Sequence, residues 1–151
     1  MNKSITILGI AGSLRRQSYN RSALRAAQQL VPEGATLDIF ELDGIPGFNQ
    51  DDEQNPPAKV IELKKRVQEA AAILFVTPEY NYSVPGVLKK AIDWASRPYV
   101  PINQPEVMIG NAAERFDANG NLTDDATKDY IRNLLKNLPD WTHRIQQAPV
   151  K

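Results

Sequence analysis

Two serines, two arginines and an asparagine lie within one short polar stretch near the start of the chain. The stretch covers residues 12–20 and contains Ser13, Arg15, Ser18 and Asn20. It follows an apolar run of strand length and precedes a run of helical periodicity. The first turn of a helix has unpaired N–H groups and a dipole that favours an anion, and arginine adds charge-assisted hydrogen bonds. The stretch therefore predicts a phosphate-binding turn. An exposed loop with Ser18 as an ordinary helix cap remains the alternative.

The glycine spacing in this region narrows the kind of phosphate ligand. Gly9-x-x-Gly12 lacks the G-x-G-x-x-G spacing of a dinucleotide-binding turn. No Gly-Lys-Ser or Gly-Lys-Thr follows, as a P-loop would require. A monophosphate therefore fits the stretch better than a dinucleotide or a triphosphate with magnesium.

A second unusual stretch, residues 77–86, follows the third apolar run. It contains Pro78, Glu79, Tyr80, Asn81 and Tyr82 in direct succession. Aromatic and backbone groups in such a turn could hold a flat ring. A turn fixed by its prolines, with tyrosines that cover neighbouring surface, explains the composition equally well.

Both stretches need a scaffold that brings them to the same place, and the hydrophobic periodicity predicts one. Strands are expected at residues 4–10, 36–42 and 71–77, with a weaker candidate at 106–110. Helices are expected at residues 20–30, at 58–70, after Ser83 with Pro85 in the first turn, and after Thr123 or Asp124. This alternation predicts an α/β fold, a doubly wound parallel sheet between two helical layers. Ligands bind such sheets at the carboxyl ends of the strands, where both polar stretches lie.

Composition excludes several functional classes. The 151 residues suit a single domain, residues 1–151, and are 42% hydrophobic with 18 basic and 18 acidic residues. A balanced charge gives no reason to expect nucleic acid. With no cysteine and one histidine, neither a disulfide, thiol catalysis nor a metal site is expected. No stretch reaches the roughly 20 apolar residues of a membrane span, and the first apolar run does not match a signal peptide. We therefore expect a cytoplasmic protein that does not enter membranes.

The two stretches together resemble the motifs of the NADPH-dependent FMN reductase family, and most closely its bacterial quinone and chromate reductase branch. Gly12-Ser13-Leu14-Arg15, with Ser18 and Asn20, resembles the first motif; residues 78–89, with Ala91-Ile92-Asp93-Trp94, resemble the second. The resemblance covers residues 5–99 and resumes over residues 103–138. It implies a flavodoxin-like fold and an FMN-dependent NAD(P)H oxidoreductase. Such an enzyme passes hydride from NADPH or NADH to FMN, and electrons onward to small acceptors such as quinones or chromate.

The resemblance also implies roles for single residues. Ser13, Arg15, Ser18 and Asn20 would hold the FMN phosphate. The residues along the isoalloxazine and ribityl chain would be Pro78, Glu79, Tyr80, Asn81 and Tyr82. No catalytic acid or base is assigned, because the flavin carries the chemistry. Members of the family commonly form dimers or tetramers, so a homodimer or homotetramer is expected.

The chain departs from the family pattern after residue 99. The family has five parallel strands, whereas four are expected here. A strand–helix unit of about 30 residues is missing near residues 99–103, and with it a third turn that would contact the flavin. We therefore expect a deletion variant that binds FMN but turns over slowly. An FMN- or phosphate-binding protein with little turnover, and an inactive variant that folds only through partner chains, remain the alternatives.

Overall fold

The computed structural model describes residues 5–96, 107 and 109–147, with side chains as far as residue 138. Eight helices and strands follow one another in these residues, together with a single 3₁₀ turn at Gln50–Asp52. They are β1 (Ile5–Ala11), α1 (Tyr19–Gln29), β2 (Ala35–Phe40), α2 (Ala58–Glu69), β3 (Ala72–Val76), α3 (Gly86–Ala95), α4 (Ala112–Arg115) and α5 (Asp125–Gln147). None of the described helices is both long and apolar enough to cross a membrane.

The three described strands form one parallel sheet in the order β2-β1-β3. The central strand, β1, pairs with both neighbours, so that Ile7 lies opposite Leu37 on one side and Ala72 on the other. A strand between two others and between two helical layers has no wet face, which explains the continuous apolar sequence of β1. The predicted doubly wound parallel sheet is confirmed.

Helices cover the sheet on both faces. On one face α1 packs on all three strands and α5 packs on α1 and β3, with Leu24 and Leu135 almost fully buried in the same apolar cluster as Ile7. On the other face α2 packs on β1 and on α3, with Trp94 of α3 buried in the same cluster as Leu8. This is the predicted three-layer α/β/α arrangement, and it places the carboxyl ends of β1 and β3 side by side.

One helix starts later than the sequence indicates. The prediction placed Ser83 as the cap of the third helix, whereas α3 begins at Gly86 after Pro85. The backbone of Ser83 is already committed, because its N–H and C=O both pair with those of Tyr80. Ser83 therefore belongs to the turn before α3 and does not cap the helix.

The sheet ends at β3 within the described residues. Val107 and Ile109, from the predicted fourth strand at 106–110, lie outside any strand. Glu106 and Met108, and the expected deletion site at 99–103, fall outside the described residues. In the part of the chain that the structure describes, β3 pairs only with β1.

Candidate functional site

The first polar stretch folds back on itself at the start of α1. Ser18 caps the helix, and its Oγ accepts the Asn20 N–H with an N···O distance of 3.2 Å. The Ser18 N–H donates to the Arg15 carbonyl at 3.1 Å, and the Arg15 N–H donates to the Ser13 Oγ at 3.3 Å. These bonds fix the backbone of the turn and leave the Arg15 side chain exposed. The turn therefore offers a helix N-terminus beside a guanidinium, which is a suitable geometry for an anion.

Arg21, the neighbouring cation on α1, is already paired with two carboxylates. The guanidinium of Arg21 lies 2.6 Å from a carboxylate oxygen of Glu41 and 2.6 Å from one of Asp43. These bonds tie α1 to the end of β2 and neutralise Arg21. The Arg15 guanidinium has no ion pair among the described residues, so its positive charge remains free for a ligand.

The second polar stretch is a tight two-residue turn with unusual backbone angles. The Tyr80 N–H donates to the Ser83 carbonyl at 2.9 Å, and the Ser83 N–H donates to the Tyr80 carbonyl at 3.1 Å. Between them, Asn81 and Tyr82 have φ angles of 54° and 60°. Positive φ at both central positions is the pattern of a type I′ turn. Glu79 supports it, because its Oε1 accepts the Tyr82 N–H at 3.1 Å.

Tyr82 is an uncommon residue for this conformation. Asparagine is tolerated in the left-handed region, but a large side chain there is strained. The side chain is also 98% exposed, so no packing in the described structure compensates for the strain. Strained residues of this kind concentrate at ligand sites, which supports a functional reading of the turn.

The two stretches touch through a glycine. The Gly12 N–H donates to the Val76 carbonyl at 2.8 Å, which holds the end of β1 against the end of β3. A Cβ atom on Gly12 would lie 2.3 Å from the Oγ1 of Thr77, far closer than any real contact. Only glycine therefore allows the two turns to approach this closely.

Both turns line one cavity of about 1190 Å³ at the carboxyl end of the sheet. It brings together eight of the nine residues predicted for the site: Ser13, Arg15, Ser18, Asn20, Pro78, Glu79, Tyr80 and Tyr82. Asn81 is not among the lining residues. Two stretches more than 50 residues apart in sequence thus form one site.

Much of the remaining cavity wall is apolar, and these residues were not predicted as part of the site. They come from α1, β3, the segment after α4 and α5, and include Ala23, Leu74, Phe116, Ile131 and Leu134. Ile131 and Leu134 are three positions apart in α5, the spacing of residues on one face of a helix. Periodicity does not distinguish a core position from a cavity wall, so it could not reveal this role.

The acidic loop that follows α4 has an ordinary structural role. Asp117 Oδ1 accepts the N–H groups of Asn119 and Asn121, and its Oδ2 accepts the Asn121 amide. The hydrogen bond from the Asn121 side chain is the main reason that the pKa of Asp117 lies below its ordinary value. The carboxylate is thus used to close a turn, as aspartate commonly does.

The donor set fits an FMN molecule. The free guanidinium and the helix N-terminus suit a phosphate monoester. The turn at residues 80–83 supplies aromatic and backbone groups, and the apolar wall suits a flat ring. The cavity, at about 1190 Å³, is large enough for such a cofactor.

Comparisons with known proteins agree with this site. The sequence profile of the NADPH-dependent FMN reductase family matches residues 5–115. An NAD(P)H-dependent FMN reductase of Pseudomonas aeruginosa is 38% identical over 185 aligned residues, covering 97% of this chain and all of the relative. A 2-hydroxy-1,4-benzoquinone reductase of a Burkholderia species is 31% identical, covering 91% of this chain and 96% of the relative.

A solved structure is similar over almost its whole length. The flavoenzyme FerB of Paracoccus denitrificans, an NAD(P)H:(acceptor) oxidoreductase, superimposes with a TM-score of 0.78 at 28% identity, covering 93% of this chain and 98% of that one. The Pseudomonas alignment, at 185 residues, is longer than the 151 residues of this chain, so that relative has residues with no counterpart here. The fold, the matched profile and the relatives agree that this chain belongs to the NADPH-dependent FMN reductase family, flavodoxin-like oxidoreductases with FMN as cofactor and NAD(P)H as electron donor.

Proposed function

We propose that this chain binds FMN in the cavity and uses it to pass electrons from NADPH or NADH to quinones or similar small acceptors, chromate included. The observation that carries the proposal is the convergence of the two turns on one cavity, with the free guanidinium of Arg15 at its wall. Relatives named as quinone reductases support the choice of acceptor.

In this proposal the first turn holds the phosphate. Because Ser18 Oγ already accepts the Asn20 N–H, its hydroxyl hydrogen remains available to a phosphate oxygen. Ser13 can donate in the same way, since its oxygen accepts the Arg15 N–H. Arg15 adds the charge, and the N-terminus of α1 adds its dipole.

The second turn contacts the ring and the ribityl chain. Pro78, Glu79, Tyr80 and Tyr82 line the cavity, and Asn81 holds the left-handed step that lets the turn close. Because the carboxylate of Glu79 accepts the Tyr82 N–H, it positions the turn and is not assigned as an acid or base. The redox chemistry is supplied by FMN when it is bound, and the protein orients the ring and controls access to it.

The missing unit limits the rate in this proposal. We infer that a single domain, residues 1–151, lacks a strand–helix unit near residues 99–103. Residues 73–76 of β3 line the cavity, and in this proposal the missing unit would have covered them. Water and motion can therefore enter beside the ring. A misplacement of about 1 Å can lower the rate of hydride transfer about 100-fold.

We further propose a cytoplasmic homodimer or homotetramer. The absence of cysteine suits a reducing compartment, and NADPH and NADH are available there. The balanced charge gives nucleic acid no basis for binding, and the partners are small electron acceptors and further copies of the chain.

The first test is the absorbance spectrum of the purified protein after FMN is added and the excess removed by gel filtration. We expect a yellow protein with a flavin spectrum at close to one FMN per chain. Steady-state NADPH oxidation with 1,4-benzoquinone and saturating FMN should be measurable but slow. A colourless protein that cannot be reconstituted contradicts the proposal.

A flavin-binding protein without turnover is a second candidate, favoured by the strand–helix unit that we infer is missing beside the cavity. Bound FMN that NADPH does not bleach anaerobically within hours would support this candidate over the enzyme. Bleaching at any rate that exceeds free FMN under the same conditions supports the enzyme.

A further inference from the structure

One stretch of the cavity wall, residues 109–116, is held by a side chain that does not itself line the cavity. Four residues of this stretch line the cavity: Ile109, Gly110, Ala112 and Phe116. Arg115 is not among them, but its Nε donates to the Gly110 carbonyl with an N···O distance of 2.7 Å. Arg115 therefore bonds to the backbone of the wall without occupying the space that a ligand would take.

The same guanidinium is anchored at the start of α5. Its Nη1 donates to the Oδ2 of Asp124 at 2.7 Å and to the Oγ1 of Thr127 at 3.1 Å. The side chains of Arg115 and Asp124 are only 34% and 30% exposed, so water screens this pair less than an ordinary surface ion pair. Arginine presents its N–H groups in a rigid planar fork. Arg115 thus fixes the distance between the wall and α5.

The wall also contacts the phosphate turn at the start of α1. The ring of Phe116 packs against that of Tyr19, with 5.4 Å between their centroids. Tyr19 lies between Ser18 and Asn20 in the sequence, and all three residues line the cavity. A shift of the wall would therefore change the shape of the cavity next to this turn.

We propose that Arg115 is a positioning residue, which sets the position of residues 109–116 and thereby the affinity of the cavity for the apolar part of its ligand. This inference rests on the proposed function, in which that part is the isoalloxazine ring of FMN. Ile109, Ala112 and Phe116 provide apolar contacts for a flat ring, whereas the phosphate is assigned to the turn that contains Arg15. The two arginines therefore act on different parts of the same ligand.

The test compares the binding of FMN with that of riboflavin, which lacks the phosphate and is uncharged. Arg115→Met keeps the length of the side chain and removes its donors. We expect Arg115→Met to bind both flavins roughly ten-fold more weakly, the low end for loss of a hydrogen bond to a charged group. Arg15→Ala should weaken the binding of FMN only. The visible absorption band of bound riboflavin, measured at saturation, should be broader in Arg115→Met, because water reaches the ring.

Thr123→Val is the matched structural control. The Thr123 hydroxyl donates to the Arg115 carbonyl at 3.1 Å, and Thr123 does not line the cavity. Thr123→Val therefore removes a hydrogen bond from the same segment but leaves the bond between Arg115 and Gly110. We expect a lower thermal midpoint with unchanged affinity for both flavins. Equal affinities of Arg115→Met and the unmodified chain, a loss confined to FMN, or an equal loss in Thr123→Val would each overturn the inference.

Arg115→Lys gives the same comparison if Arg115→Met does not fold. Lysine keeps a positive charge for Asp124 but has no nitrogen at the Nε position that bonds to Gly110. We expect a smaller loss of affinity, again equal for FMN and riboflavin. A loss confined to FMN would overturn the inference for this variant too.

Hydrogen exchange of the flavin-free protein distinguishes a failure of this inference from a failure of the proposed function. The Glu114 N–H donates to the Asn111 carbonyl within the wall, and it should exchange faster in Arg115→Met, while the amides of β1 do not change. A chain that binds neither flavin would contradict the proposed function. Faster exchange at Glu114 would then still support the hold of Arg115 on the wall, and unchanged exchange would overturn it.

Discussion

Arg15 is the cation whose charge the phosphate turn can offer to a ligand, because Arg21 on the same side is held by Glu41 and Asp43. We predict that Arg15→Ala weakens FMN binding by about 1.5–3 kcal/mol, the usual range for a hydrogen bond to a charged group. This corresponds to roughly a 10- to 100-fold higher Kd. Quenching of flavin fluorescence during titration measures it.

Arg16→Ala is the matched control for this change. Arg16 is the next residue, is equally exposed, and does not line the cavity. Arg16→Ala removes one positive charge, as Arg15→Ala does, so the long-range electrostatic effect on FMN is similar in both variants. Equal losses of affinity in the two variants would show that net charge, and not the position of Arg15, governs binding.

A substitution at Tyr82 separates the backbone strain of the turn from the role of its side chain in FMN binding. Tyr82→Gly removes a side chain at φ 60°, and a glycine accepts this conformation without strain. We predict a thermal midpoint that is unchanged or higher, together with weaker FMN binding. Asn111→Gly makes the same kind of change at another residue with positive φ, 50°, which does not line the cavity, and should leave FMN affinity unchanged. If Tyr82→Gly binds FMN like the unmodified chain, the aromatic ring has no role in the site.

At the scale of elements, the contact between the ends of β1 and β3 depends on Gly12. Gly12→Ala would place a Cβ against the Thr77 side chain, and overpacking of this kind typically costs about 1–3 kcal/mol. We predict a lower urea midpoint and weaker FMN binding, because both turns must move apart.

A double-mutant cycle tests whether the Thr77 side chain is what the new Cβ of Gly12→Ala meets. In Thr77→Gly the nearest remaining Thr77 atom, its Cα, would lie 3.3 Å from the new Cβ, a tight contact but no longer a severe clash. The Gly12→Ala change should therefore cost less in the Thr77→Gly background than alone. Additive losses would place the cause of the destabilisation elsewhere in the turn.

The start of α5 is predicted to depend on pH through Asp124. Hydrogen bonds from the Thr127 hydroxyl and N–H, and then the Arg115 guanidinium, hold the pKa of Asp124 below its ordinary value of 3.8. A carboxyl with a lowered pKa stabilises the folded state above its ordinary pKa, and this stabilisation is lost as the pH falls through the folded-state pKa. Asp124→Ala should therefore unfold at a lower temperature than the unmodified chain at pH 7.

The difference between the two proteins should shrink as the pH falls below about 3.8, the ordinary aspartate value. Calorimetry between pH 3 and pH 7 measures it. Glu33→Ala serves as the control, because this exposed carboxylate forms no ion pair among the described residues. A gap between Asp124→Ala and the unmodified chain that stays constant with pH would contradict the assignment.

The sequence predicts an element well when the residues that determine it are adjacent in the chain. β1, α1 and the Ser18 cap follow from residues adjacent in the chain, so periodicity and capping rules locate them within one or two positions. The left-handed turn at Asn81 and Tyr82 could not be predicted, because no glycine marks it. α4 has only four residues, too few for a periodic signal.

The cavity is formed by residues that are distant in sequence, so the sequence does not reveal it. Ile131 and Leu134 have the spacing of core residues, and only the position of β3 shows that a cavity lies in front of them. The sequence of β3 likewise indicates a strand buried on both faces, whereas all five of its residues are half-buried in the structure.

At the scale of the whole molecule, the rate of hydride transfer is predicted to depend on the strand–helix unit that we infer is missing near residues 99–103. We predict that inserting a family-like strand–helix unit after Tyr99 raises steady-state NADPH oxidation, about 100-fold if ring misplacement is the limiting factor. FMN affinity should change much less, since the phosphate turn is complete in both forms. Stopped-flow kinetics and FMN titrations of both forms measure these effects.

Equal turnover in the two forms would show that the third turn is not needed for hydride transfer. The Arg15→Ala and Tyr82→Gly changes should reduce FMN affinity in both forms by the same factor.

The order of the elements along the chain bears on how the protein is made. All three described strands, and the helices α1, α2 and α3, precede residue 97, whereas α5 comes last. On the ribosome, the sheet can therefore pair completely before α5 has left the exit tunnel. Until then the α1 face of the sheet, with Ile7 and Leu24, lacks the helix that completes its cover. Translation of the roughly 50 residues from the end of α3 to the end of α5, at about 5–20 residues per second, thus sets a window of several seconds in which the nascent chain is most exposed to chaperones and to neighbouring chains on the same messenger RNA.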